Sequence, residues 1–247
     1  QELQTGFTQG LPIVPAHHRC QTSAGHLSRL ASLRRPRPLL KEQMKFKSRE
    51  DAIVKLLSKN ANLLPEAASS FCGIAEAEIG TRAAQLKVLR EVAAESDRRY
   101  LDLVRKVSAS AIPPQDREGL HGLADSIDGV VGTLEGSGEL LVEFELAELP
   151  AAFTRNSRRL YGMCELARDA LHLVRKPSKI EKRLIEIGSL KKEMDRNYRV
   201  QLVTVLTPTT DPVSMLKMKS LLDSLDLGAT RVEGFVRCLT AMAIVEG

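Results

Sequence analysis

Residues 123–135, LADSIDGVVGTLE, recur as LLDSLDLGATRVE at residues 221–233, and this repeat decides the fold. The two stretches share a leading leucine, an Asp-Ser pair, a second aspartate and a final glutamate. The same shift of 98 residues (221 minus 123) carries ESDRRY at 95–100 onto EMDRNY at 193–198. Two matches at one ungapped shift predict that a single helical unit is used twice along the chain.

The composition favours helices over sheets. Aromatic residues make up only 4% of the 247 residues, and tryptophan is absent. Leu, Ala, Glu, Lys and Arg dominate instead, and these residues are strong helix formers. No apolar run approaches the roughly 18 residues that a membrane-spanning helix needs. We therefore expect a soluble, all-α protein.

Charge and cysteine content argue against several functional classes. Residues 1–43 carry six Lys or Arg and two acids, which is +4 of the total net charge of +5. The remaining chain is nearly neutral and has no basic stripe interleaved with aromatic residues, so we expect no binding to nucleic acid. The four cysteines are far apart and lack zinc-site spacing, which predicts reduced thiols in a cytoplasmic protein.

Residues 1–43 differ from the rest of the chain. They are rich in Pro, Gly, Ser, His and Arg and show no helical apolar period. We interpret them as a disordered tail, or as a region upstream of a natural start at Met44. A targeting presequence is the alternative, because the segment is rich in arginine and poor in acids. The fold is therefore argued from residue 44 onward.

Apolar residues then recur at helical spacing in six segments. Pro65 predicts a kink in the first segment, and the prolines at 113–114 and in TPTTDP at 207–212 predict turns at matching places of the two repeats. Short connections between long helices imply antiparallel neighbours. We expect two pseudo-symmetric three-helix bundles, residues 44–149 and 150–247. The predicted helices span about 48–80, 82–110, 114 onward, 151–175, 178–206 and 213–245.

The third predicted helix contains an unusual number of glycines. Each interior glycine costs about 0.5–1 kcal/mol of helix stability relative to alanine. This helix should therefore be either locally weak or very closely packed against its neighbours. The glycines are Gly119, Gly122, Gly129, Gly132, Gly136 and Gly138.

Several motifs together resemble one known family. IPPQDREGLHGLADSID at 112–128 is similar to the TP-x-DRED…LA…LDD signature of PhoU-like phosphate-transport regulators, specifically the distant PhoU relatives found with Pit-type phosphate transporters. MKFKSRED at 44–51 and NANLLPEAA at 60–68 resemble the start of such proteins. MDRNYR at 194–199, followed by Thr-Asp-Pro at 210–212, resembles the second half of the pattern. The resemblance covers about residues 44–246 and implies the six-helix PhoU-like architecture.

The resemblance also implies a function. It predicts a regulator of inorganic phosphate transport rather than an enzyme, located in the cytoplasm or at the inner face of the membrane. The implied partner is a Pit-type phosphate transporter, contacted through Asp116, Arg117 and Glu118 of the signature, and a homo-oligomer stays open. The alternative is a helical scaffold or oligomerising adaptor without a role in phosphate transport.

The resemblance further implies a metal site, because PhoU relatives bind metal clusters through Glu/Asp-x-x-x-Asp pairs. Residues at i and i+4 lie on one helical face, so two carboxylates can hold one cation. In this chain every such pair lacks one member: Ala93, Lys191 and Thr230 stand where acids are expected. Either a sparser site for iron, zinc or manganese persists across helices, or the acids are simply solvated. The candidate ligands are Asp97, Asp128, Asp195, Asp226 and Glu233.

Overall fold

The computed structural model describes residues 52–110, 112–174, 176–206 and 211–245. Within these ranges the regular secondary structure is helical, without strands, so the all-α prediction is confirmed. The predicted extension at residues 1–43 lies outside the described residues. The helices are α1 (52–61), α2 (Leu63–Glu76), α3 (Arg82–Ser108), α4 (Pro114–Glu143), α5 (Ala151–His172), α6 (Pro177–Val205) and α7 (Pro212–Val245).

The first helical segment is kinked, as Pro65 predicts. A turn at Asn62 separates α1 from α2. Proline has no N–H to donate to the carbonyl of Ala61, and its ring crowds that carbonyl, so the ladder of hydrogen bonds is interrupted. The segment ends at Glu76 rather than near residue 80, because a separate 3-10 turn at Ile79–Thr81 leads into α3.

Prolines mark the start of several helices. Pro114, Pro177 and Pro212 are the first residues of α4, α6 and α7. The first turn of a helix has no intrahelical partner for its N–H groups, and the fixed φ of proline suits it. The proline-based boundaries read from the sequence are therefore confirmed for α4 and α7.

The helices form two bundles of the same plan. Helices α2, α3 and α4 pack against one another, as do α5, α6 and α7. Between the bundles, α2 contacts α5 and α4 contacts α7. Each of these contacts joins a helix to its counterpart in the other repeat, which is what a pseudo-two-fold axis requires. Two pseudo-symmetric bundles are thus confirmed, whereas a domain boundary at residue 150 stays a prediction.

Apolar and polar contacts both join the bundles. The ring of Phe71 on α2 meets the ring of Phe153 on α5 edge to face, with centroids 6.5 Å apart. On the other side of the interface, Nη1 of Arg231 on α7 donates a hydrogen bond of 2.7 Å to the carbonyl of Gly129 on α4. The two repeats therefore share a packed interface at both pairs of counterpart helices.

The glycine-rich helix α4 is continuous from Pro114 to Glu143. Gly138 explains part of the composition, since a Cβ there would lie 2.9 Å from Cδ2 of Leu89 and 3.0 Å from Cδ1 of Ile74. At Gly132, by contrast, a Cβ would meet nothing within 4 Å. Close packing is thus confirmed at Gly138 but does not account for every glycine.

Three of the four cysteines lie in described helices and are free thiols: Cys72, Cys164 and Cys238. Cys164 is fully buried in α5. Burial raises the pKa of Cys72 to about 11, so its thiol stays protonated and unreactive near neutral pH. These three positions agree with the prediction that the cysteines pack in helices, their reduced state stays a prediction, and Cys20 lies outside the described residues.

Candidate functional site

Lys191 joins two of the predicted metal ligands in the second bundle. Its Nζ donates a hydrogen bond of 3.0 Å to Oδ1 of Asp226 on α7 and another to Oδ1 of Asp195, one turn later on α6. The lysine side chain is only 13% exposed, against 34% for Asp195 and 36% for Asp226. Burial alone would lower the pKa of Lys191, but the bonds to both carboxylates outweigh burial and raise it. The bridging group is therefore a charged ammonium at neutral pH.

Two further acids of α7, Asp223 and Glu233, are also paired. Asp223 accepts hydrogen bonds from Nζ of Lys219 at 2.5 Å and from the hydroxyl of Tyr198 at 2.7 Å. Burial opposes ionisation of Asp223, but these two bonds prevail and lower its pKa. Glu233 accepts a hydrogen bond of 2.7 Å from Nη2 of Arg237, four residues later. Every predicted acid of this bundle thus has a cationic partner.

The matching acids of the first bundle lack cationic partners among the described residues. Asp128 accepts a hydrogen bond of 2.8 Å from the hydroxyl of Ser96, and Asp97 and Asp125 are exposed. Burial raises the pKa of Asp128, and the charges of Asp97 and Asp125 raise it further, against the hydrogen bond from Ser96. The position that matches Lys191 is Ala93, which is buried. Among the described residues, none of these three aspartates forms an ion pair.

Glu135, which matches Glu233, is also held in an unfavourable environment. Burial raises its pKa most, and the neighbouring charges of Glu139 and Asp97 raise it further, against Arg90. The guanidinium of Arg90 bonds to Glu139 at 2.6 Å rather than to Glu135. The acid set of the first bundle therefore keeps a surplus of negative charge.

The cavities beside the two sets of acids differ in size. A cleft of about 600 Å³ lies against Asp125 and Asp128, at the junction of α4 with Arg231 and Phe235 of α7. The cavity beside Asp226 measures only about 10 Å³. Open space for a ligand therefore adjoins Asp125 and Asp128, whereas the cavity beside Asp226 is too small for one, although the Asp226 side chain is itself 36% exposed.

Comparisons with solved structures identify the fold. The chain is similar to two proteins from Shewanella oneidensis MR-1, one a PhoU-like phosphate regulatory protein (TM-score 0.65, 17% identity) and one a PhoU-like protein (TM-score 0.66, 15% identity). Each match covers 78% of this chain and 99% of the other. PhoU from Pseudomonas aeruginosa matches with a TM-score of 0.63 and 13% identity, over 82% of this chain and 100% of PhoU. This chain has the PhoU-like fold. No protein-family model and no curated protein sequence matches it.

The residues of this chain do not fit a metal ion at the second bundle. Within the described ranges, no group of three or more His, Cys, Asp or Glu side chains is placed to hold a metal. At Asp195 and Asp226, a bridging metal would also stand beside the ammonium of Lys191, which repels cations. The ammonium argues against a metal ion at two of the candidate ligands, and the metal role of the whole set stays a prediction: Asp97, Asp128, Asp195, Asp226 and Glu233.

The signature residues of the PhoU-like pattern lie in the first turn of α4. Asp116 and Arg117 are partly buried, and Glu118 is exposed. The backbone N–H of Arg117 donates to the carbonyl of Pro113 at 3.0 Å, and among the described residues its buried Nε has no hydrogen-bond partner. Glu118 is thus the member of this trio that is most open to a partner.

An exposed apolar tip was missed by the sequence reasoning. It comprises the end of α6 and the start of α7, whose side chains are 50–73% exposed although they are apolar. Shifting these positions by 98 residues gives polar or charged residues in all five cases. That position-by-position comparison of the repeats is the signal that could have found the tip. The tip residues are Val200, Val203, Leu206, Val213 and Leu216, and their counterparts are Asp102, Arg105, Ser108, Gln115 and Glu118.

Among the described helices, none is both long enough and apolar enough to pass through a lipid bilayer.

Proposed function

We propose that this protein is a non-enzymatic regulator of inorganic phosphate transport, which acts by binding a Pit-type phosphate transporter from the cytoplasmic side. The observation that carries the proposal is the extent of the structural likeness. The match covers 99–100% of the PhoU and PhoU-like chains and therefore includes both bundles, and one of these chains is described as a phosphate regulatory protein. In this proposal the protein is cytoplasmic and lies peripherally at the inner face of the membrane.

We further propose that the start of α4 contacts the transporter. Glu118 is exposed there, while Asp116 and Arg117 are partly buried. Charged groups at the edge of an interface mainly govern the rate of encounter and the choice of partner. A reversal of charge at Glu118 should therefore weaken binding without disturbing the core.

The test is uptake of radiolabelled phosphate in cells that lack this protein and are complemented with the full chain or a variant. Glu118→Arg changes the start of α4, and Leu216→Arg changes the matching position at the start of α7, within the exposed apolar tip. Ile185→Arg is the control, because Ile185 is 71% exposed on α6 away from both tips. Immunoblots confirm that the three variants accumulate equally.

We expect deletion to change uptake, and the full chain and Ile185→Arg to restore it. Failure of Glu118→Arg alone to restore it supports the start of α4 as the contact, and failure of Leu216→Arg alone moves the contact to the apolar tip. If deletion leaves uptake unchanged, the regulator proposal is wrong. The helical scaffold or adaptor then becomes the better account, favoured by the loss of paired acids at positions such as Lys191.

A further inference from the structure

The acids of the second bundle are organised around one lysine. Lys191 approaches from α6, and its single ammonium reaches one oxygen of Asp195 on the same helix and one of Asp226 on α7. Its side chain is the most buried of the three, so the lysine is packed between α6 and α7 rather than extended into solvent. A cation placed between carboxylates of facing helices is the arrangement by which a metal ion would join them.

We infer that Lys191 is a resident cation in the place where a metal ion would bridge Asp195 and Asp226, so that the second bundle joins α6 to α7 without metal. This inference is independent of the proposed function, since it concerns what holds the bundle together. It also means that one of the metal sites implied by the resemblance holds a lysine ammonium instead of a metal ion.

Three features of the site support the inference. First, the ammonium is tethered one helical turn from Asp195, so its local concentration is high whatever the supply of metal in solution. Second, a divalent ion at this place would have to displace the ammonium and leave its charge buried nearby, which is unfavourable. Third, the matching position of the first repeat is Ala93, whose methyl group carries no charge. Of the two repeats, the second alone has the lysine.

If Lys191 occupies the place of a metal ion, replacing it with an acid should allow a metal ion to bind there. Lys191→Glu removes the ammonium and places a third carboxylate beside Asp195 and Asp226. Three carboxylates on two facing helices repel one another, but together they offer the oxygen ligands that a divalent ion requires. Lys191→Met also removes the ammonium, but it supplies no oxygen ligand. Lys192→Glu, at the exposed neighbouring position, changes the net charge equally and is the matched control.

The experiment measures thermal unfolding of the purified full chain in chelator and in excess Mn²⁺ or Zn²⁺. We expect the melting temperature of the wild type and of Lys192→Glu to be the same in both media. Lys191→Glu should melt lower in chelator and recover by about 5 °C or more in metal, because a ligand that binds only the folded state stabilises it. Lys191→Met should melt at a lower temperature than the wild type in chelator and should gain no stability in metal.

Two results would overturn the inference. One is that Lys191→Glu gains no stability from Mn²⁺ or Zn²⁺, which would mean that Lys191 does not occupy a place fit for a metal. The other is that chelator destabilises the wild type and that Asp226→Asn abolishes this response. Metal analysis of the purified wild type and of Asp226→Asn gives a second readout. The inference requires equal metal content in these two proteins. This test does not depend on whether the variants at position 191 fold well.

Discussion

The two bundles share one helical plan but neutralise their acids in different ways. In the second bundle, Lys191 bridges α6 to α7 through Asp226. At the matching place of the first bundle, Ala93 is buried and Asp128 has the hydroxyl of Ser96 as its partner. Burial and the like charges of Asp97 and Asp125 raise the pKa of Asp128, because the hydrogen bond from a neutral hydroxyl is too weak to reverse them, whereas Lys191 stays charged.

The first bundle has its own tip at the end of α3 and the start of α4, and at the tips it is the first bundle that carries the charged residues. The charged residues lie at the first tip, with Glu118 exposed, and the second tip presents Val203 and Leu216 at 73% and 65% exposure. The buried positions of the repeats must fill the space between packed helices, so a change at one of them affects its neighbours. Exposed positions carry no such constraint, so the repeats have diverged there, and it is there that the two bundles can take different roles.

The largest expected effect tests the packing difference at one core position. Gly138 in the first bundle corresponds to Val236 in the second, and both are buried. Gly138→Val should lower the free energy of unfolding by about 1–3 kcal/mol, because its branched side chain must displace Leu89 and Ile74. Denaturant unfolding measures this change. Gly132→Ala is the control, and it should stabilise the protein by about 0.5–1 kcal/mol because its Cβ meets nothing; equal effects at the two sites would refute the packing argument.

The next prediction concerns the ammonium of the second bundle. Lys191→Met should lower the free energy of unfolding by about 1–2 kcal/mol at pH 7, since Asp195 and Asp226 lose their shared donor but remain about one-third exposed to water. The pKa of Lys191 is raised on folding, so its contribution is fully present below the ordinary lysine value of about 10.4 and is lost as the pH rises through the folded value.

The measurement is unfolding of the wild type and of Lys191→Met from pH 7 to pH 11. The difference between them should shrink only at the alkaline end of this range. A difference that is already gone at pH 8 would show that the charge of Lys191 does not stabilise the fold.

Two aspartates should respond to neutralisation with opposite signs. The pKa of Asp128 is raised by burial and like charges, so its ionisation destabilises the fold, and Asp128→Asn should be more stable than the wild type at pH 7. The pKa of Asp223 is lowered by bonds from Lys219 and Tyr198, so Asp223→Asn should be less stable. Both changes should stay below about 1 kcal/mol, because the groups are partly exposed.

The pH dependence separates the two cases. The advantage of Asp128→Asn should vanish as the pH falls below the ordinary aspartate value of about 3.9, where the wild-type carboxyl is protonated in both states. The deficit of Asp223→Asn should persist to a lower pH and vanish only below the depressed folded pKa of that carboxyl. Changes of the same sign at pH 7 would contradict the electrostatic difference between the bundles.

How far the sequence predicts this molecule depends on the range of the forces involved. The helices and their proline boundaries follow from local period and backbone chemistry, which neighbouring residues reveal. The bond from Lys191 to Asp226 does not, because it spans 35 residues and depends on how α6 slides against α7. The sequence showed only that Lys191 stands one turn before Asp195. Likewise, Val203 fits a helical pattern, and only packing decides that it is exposed.

The smallest expected effect concerns a surface pair at matching positions of α7 and α4. Glu233 pairs with Arg237 in the second bundle, whereas the first bundle has Glu135 and Glu139 at the same spacing. Arg237→Glu should convert the attractive pair into the repulsive one, at a cost of about 0.5–1 kcal/mol, since i, i+4 pairs contribute about 0.2–0.5 kcal/mol in either sense.

Arg237→Gln, which removes the attraction without adding repulsion, should cost about half as much. Because Arg237 is 64% exposed, salt should screen both effects, and unfolding in 1 M NaCl should bring the three proteins together. If the Arg237→Glu deficit persists unchanged in high salt, its origin is packing of the arginine stem rather than charge. The like-charged pair of the first bundle would then have diverged for a reason other than electrostatics.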